Sequence, residues 1–119
     1  MASGDELARQ RRLQIDAFGV DPYELKAEAL VHFLSWNVQA ATLELAEALN
    51  DAVPSWKPWS VGEHQIVDRR HFIEELVDAR HFLDNLLLAA KVDDAELEKV
   101  FDAKTEIIAK RQASGTYEG

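Results

Sequence analysis

Helix breakers are few in this chain and mostly clustered, which constrains its fold more than any other feature. Five glycines and three prolines occur among 119 residues. Gly19 with Pro22, then Pro54, Pro58 and Gly62, then Gly115 and Gly119 mark the breaks. Between them apolar residues recur every three or four positions, and no stretch alternates long enough to make a strand. The spacing predicts a first helix over about Glu6 to Phe18, with Arg9, Arg11 and Arg12 on its exposed side. Asp21 before Pro22 reads as an N-cap with proline at the first helical position. It opens a long helix, or two consecutive ones, ending near Ala52. Pro54 and Pro58 lie too close together for 53–62 to be helical throughout. A third helix is expected from about Gln65 to Lys91. A fourth, capped by Asp93 or Asp94, follows to about Gln112, and 113–119 is a tail. The expected fold is all-α: one domain over 1–119, core about 22–112, built as a bundle of four or five helices.

Charge narrows the class of function. Asp and Glu number 22 against 13 Lys and Arg, a net charge of −9. A duplex nucleic-acid partner is thereby excluded, because such binding needs a basic footprint that releases counterions from phosphate. No cysteine is present, so disulfides, cysteine nucleophiles and cysteine-ligated zinc are excluded too. The longest apolar run, Leu86 to Ala90, is far too short to span a bilayer, so no membrane partner is expected. The first six residues carry no apolar segment of a secretory signal, and the expected location is cytoplasmic.

Four acidic residues stand apart from the rest. On a helical wheel Leu34, Val38, Ala41, Leu45 and Leu49 form one apolar stripe, with Trp36 and Leu43 roughly opposite. Glu44 and Glu47, neighbours at i and i+3, fall between the two apolar sides. In the third helix Phe72, Ile73, Leu76, Leu83, Leu86 and Leu87 build a core arc. Glu75 falls inside it and Asp78 lies at its border, with His71 and Asn85 on the same side. Carboxylates are almost never buried unless paired or bound to metal. Oxygen-only ligands of this kind suit magnesium, manganese or calcium. A ferritin-like di-iron site is a poorer match: Asp68-x-x-His71 and Asp78-x-x-His81 both fall on one helix, where that fold uses two.

The run from Trp36 to Asn50 containing Glu44-x-x-Glu47, the loop Trp56-Lys57-Pro58-Trp59, and Glu75-Leu-Val-Asp78-Ala-Arg-His81-Phe82 resemble the dimeric, all-α dUTPases. Those enzymes belong to the all-α nucleoside triphosphate pyrophosphatase superfamily, which also holds the MazG proteins. Phe101-Asp-Ala-Lys104 and Arg111-Gln112 are similar to further elements of the dUTPase branch, as are Gln14 and Phe18. Asparagines usual in that branch are replaced by Ile108 and Gly19, which leaves the choice of base open.

The resemblance implies magnesium-dependent hydrolysis of a (d)NTP, dUTP or another deoxynucleotide, between the α- and β-phosphates. Manganese is a possible substitute. Glu44, Glu47, Glu75 and Asp78 would hold the metal, with Glu47 as the base that takes a proton from water. Lys57, Lys104 and Arg111 are implied at the phosphates; Gln14, Trp56, Trp59, His81 and Asn85 are implied at the base. Lys104 and Arg111 would equally complement a helix dipole, and the two loop tryptophans would equally plug a bundle end or interface. Two alternatives stay open: a MazG-like hydrolase of purine or non-standard dNTPs, and a non-enzymatic interaction bundle whose carboxylates pair with Arg69, Arg70 and Arg80. A homodimer or homotetramer is expected under any reading, because a chain this short leaves apolar helix faces uncovered.

Overall fold

The structure, a computed structural model, describes residues 4–52 and 68–115. Among them are four α-helices, α1 (Glu6–Phe18), α2 (Ala27–Ala52), α3 (Arg69–Ala89) and α4 (Asp94–Ser114), with one 3₁₀ turn at Pro22–Glu24. The all-α expectation holds. None of these helices is long and apolar enough to cross a membrane.

Local chemistry sets the boundaries. Gly19 closes α1 in the left-handed region at φ 67°, which a residue with a Cβ adopts only with strain. Asp21 does accept from the Tyr23 amide, as an N-cap should, but only a 3₁₀ turn follows. Leu25 is extended, and α2 starts at Ala27, after that break rather than at Pro22. Arg11 explains the detour. Its guanidinium donates twice to the Asp21 carboxylate, at 2.9 and 2.8 Å, and stacks 4.0 Å from the Tyr23 ring centroid. Expected on the exposed side, Arg11 is half-buried. The Tyr23 hydroxyl in turn donates to the Val92 carbonyl, tying the turn to the α3–α4 connection.

Helix α3 starts later than expected. Asp68 is extended and its side chain accepts from the His71 amide, so the helix cannot run through it from Gln65. Asp93 caps α4 by accepting from the Glu96 amide, as expected. Asp94 has a second use that its neighbourhood in sequence does not suggest. Its carboxylate accepts from the Leu7 and Ala8 amides at 2.8 and 3.1 Å, supplying the N-terminal anion that α1's own Asp5 side chain does not provide.

Helices α2 and α3 pack antiparallel, since Trp36 meets Phe82, Asn37 meets Asn85, and Glu44 meets Glu75. The facing positions on α2 are Phe33, Asn37, Ala41, Glu44 and Ala48; on α3 they include Phe72, Glu75, Ala79, Phe82 and Asn85. This corrects the predicted stripes. Val38, Leu45 and Leu49 on α2, and Ile73, Leu76 and Leu83 on α3, are exposed. Alanines at 41, 48 and 79 occupy the contact line, so bulkier side chains flank it. Leu7 and Leu88, each 1% exposed, add about 1.5–3 kcal/mol apiece in burial.

Asp84, 5% exposed, sits where α1 crosses α3. Burial and the neighbouring Glu6 carboxylate push its carboxyl up to about 7, while Glu6 is held low by its bond to Asp84 and by Arg80. Arg80 donates to Glu6 at 2.8 Å. A proton bound by Asp84 in the fold but not in the unfolded chain stabilises at acidic pH, and the gain is lost as pH rises through about 7. Glu6 acts in the opposite sense, costing stability on strong acidification. Thermal melts between about pH 5 and about pH 9 are therefore expected to show falling stability toward the alkaline end, a fall that Asp84→Asn reduces but does not abolish, because the Glu44 carboxyl is also raised to about 7. Asp94→Ala, which strips the anion from the α1 amides, is expected to cost about 1–2 kcal/mol in denaturant unfolding.

Candidate functional site

Ala41 and Ala48 put Glu44 on the face that meets α3, and Ala79 does the same for Glu75 one turn earlier. Asp78 follows Glu75 by three residues. One oxygen from each of Glu44, Glu75 and Asp78 lies within 4.8 Å of the others. Three of the four predicted ligands are thus brought together from two helices. Glu47 is exposed, one turn beyond Glu44, and is not one of these three, although its charge acts on Glu44.

Three carboxylates this close cannot all stay ionised at no cost. A hydrogen bond with Glu75 raises the Glu44 carboxyl to about 7, with burial and the charges of Glu47, Glu75 and Asp78 adding to the effect. His71 Nε2 lies 3.1 Å from Glu75 Oε1. Arg70 pairs with Glu74 and Arg80 with Glu6, so neither offsets the cluster's charge. An all-oxygen donor set of this kind is suited to magnesium or manganese.

Glu44 and Asp78 also line a cavity of about 750 Å³ between α1, α2 and α3. Its walls are largely apolar, including Phe18, Phe33, Trp36 and Phe82, and its polar groups are mainly amides and histidines. Trp36 and Phe82 meet edge to face with centroids 5.6 Å apart. The volume is that of a small-molecule site, with the carboxylates on one part of its lining.

Two residues not singled out in the sequence organise the polar wall. Gln10 and Asn37 are 4% and 1% exposed. Gln10 Nε2 donates to Asn85 Oδ1, and Asn85 Nδ2 donates to Asn37 Oδ1, both at 2.9 Å. Asn37 Nδ2 ends the chain on the Phe33 carbonyl at 2.8 Å. Asn85, expected at the base, therefore has both ends of its amide engaged within the protein. The only sequence signal for Gln10 and Asn37 is an amide at a position in phase with buried neighbours. For Gln10 those are Leu7 and Gln14, and for Asn37 they are Ala41 and Ala48.

The other predicted residues divide into three groups. Gln14 and His81 line the cavity. The Gln14 side chain, 8% exposed, has no hydrogen-bond partner among the described residues. Lys104 and Arg111 are exposed on α4, none of whose residues is buried or lines the cavity. Trp56, Lys57 and Trp59 lie outside the described residues.

Comparison with curated proteins and with solved structures gave no match. A family model described as dUTPase matches residues 10–116, which takes in the carboxylate helices, the cavity wall and α4. This agrees with the resemblance carried by Glu44-x-x-Glu47 and Glu75-x-x-Asp78, and the chain belongs to the dUTPase family.

Proposed function

We propose that the chain hydrolyses a deoxynucleoside triphosphate, dUTP being the first candidate, to the monophosphate and pyrophosphate. The observation that carries this reading is the cluster of Glu44, Glu75 and Asp78 oxygens within 4.8 Å, on the lining of a cavity of about 750 Å³. Family membership supports a nucleotide as the substrate class.

Glu44, Glu75 and Asp78, with Glu47 beside them, would hold magnesium or manganese. Such an ion neutralises phosphate oxygens and acidifies a bound water. The protein's own groups do the rest. Exposed Glu47 is the base that accepts the water's proton. Trp36 and Phe82 give the base an apolar wall, and the Gln14 amide, without a partner among the described residues, offers it a donor and an acceptor. Lys57 is a candidate for the phosphates, whereas Lys104 and Arg111, on a helix that does not line this cavity, would reach them only from a second copy of the chain.

A second copy of the chain would complete the assembly. Val100, Phe101, Ile107 and Ile108 are all exposed on α4, and α2 and α3 leave further apolar side chains uncovered. Light scattering is expected to report a dimer or tetramer, and Phe101→Glu with Ile108→Glu to yield monomer. A monomeric wild type would refute this part.

Pyrophosphate release from a dNTP panel tests the activity. Magnesium-dependent turnover is expected, falling by about 10²-fold or more in Glu47→Ala. No turnover on any nucleotide with any divalent metal would remove the enzymatic reading, and a flat or purine-weighted profile would favour a MazG-like substrate. The cluster has its own readout. Without metal, Asp78→Asn is expected to raise the melting temperature by relieving repulsion, and to lose the stabilisation that manganese gives the wild type.

A further inference from the structure

The buried amide chain has a direction, and that direction reaches His81. A carbonyl oxygen only accepts, so the Phe33 carbonyl obliges Asn37 to present Nδ2 to it. Asn37 Oδ1 then faces Asn85 and obliges Asn85 to donate from Nδ2, which leaves Asn85 Oδ1 to accept from Gln10 Nε2. What remains of the Gln10 amide is Oε1, and it lies 2.6 Å from His81 Nδ1. An acceptor at that distance requires a hydrogen on Nδ1. Reversing any one amide would set two acceptors or two donors against each other in a buried site, at the cost of unmade hydrogen bonds.

We infer that Gln10, Asn85 and Asn37 form a one-way relay that holds neutral His81 as its Nδ1–H tautomer, leaving Nε2 to accept a hydrogen bond from an N–H of the ligand in the cavity. The three amides are positioning residues and His81 is the contact. The tautomer stands on the relay alone; the ligand contact rests on the nucleotide reading above. A uracil-type base, with its ring N–H, has the donor that this acceptor needs. A base methylated at that nitrogen does not.

Nitrogen NMR of the uniformly labelled full chain tests both halves, with the His81 ring assigned by comparison with His81→Gln. In the wild type Nδ1 is expected at a protonated-nitrogen shift and Nε2 at an unprotonated one. Gln10→Met removes the acceptor and is expected to return His81 to the Nε2–H form that a free histidine side chain prefers. Gln10→Glu keeps an acceptor opposite Nδ1 and is expected to keep Nδ1–H. A wild-type ring that carries its only proton on Nε2, or an unchanged tautomer in folded Gln10→Met, overturns the relay. The wild-type spectrum decides even if Gln10→Met does not fold. With magnesium present, dUMP is expected to shift Nε2 and N3-methyl-dUMP to leave it in place. If tryptophan fluorescence shows that dUMP binds and Nε2 does not respond, the ligand contact is wrong. If dUMP does not bind, the nucleotide reading falls and the tautomer result is unaffected.

Discussion

The close antiparallel contact of α2 with α3 governs the rest of the molecule. Its seam is lined by Ala41, Ala48 and Ala79, residues small enough to let two helices approach. That approach makes whatever sits in phase with the alanines face its counterpart, and several of the larger leucines lie outside the seam. Glu44 and Glu75 are in phase, and so are Asn37 and Asn85. One geometric fact thus produces both the carboxylate cluster and the amide chain. The amides are made tolerable in the seam by their partners on the neighbouring helices, whereas the carboxylates still repel one another there.

Helix α1 is held differently. It closes the cavity over the seam with Gln10 and Gln14, and polar ties account for much of its anchorage. Asp94 binds its first amides, Arg80 reaches Glu6, and Arg11 grips Asp21 beneath a turn whose Tyr23 is bonded to Val92. Only Leu7 adds a fully buried apolar side chain. An element fastened mainly by charged and polar contacts responds to pH and salt more than one fastened by packing. The wall of the cavity that carries Gln10 and Gln14 is held largely by polar contacts, whereas the α2–α3 wall with the carboxylates is set by packing.

The fold class was legible because glycine and proline punctuate a chain that otherwise repeats at helical spacing, and caps such as Asp93 lie next to the amides they bind. The Glu44-x-x-Glu47 and Glu75-x-x-Asp78 pairs were legible for the same reason: residues three apart on a helix are neighbours whatever the tertiary fold. Side-chain size is a poor guide to which helix face is buried here. Val38, Leu45 and Leu49 look like a core stripe, yet the face against α3 is built on alanine, whose burial gains little by itself but permits close approach.

The sequence by itself determined an all-α bundle, an acidic chain without thiol chemistry, and two carboxylate pairs at positions where solvent alone would not place them. Tertiary structure decided which groups meet. Asp94 reaches Leu7 across 87 residues, Gln10 reaches Asn85 across 75, and Asn85 reaches Asn37 across 48. Local periodicity carries no information about such distances, because it specifies the face of one helix and not the partner of that face. Only the packing of α1, α2 and α3 turned separate amides into a directed chain and separate acids into a cluster.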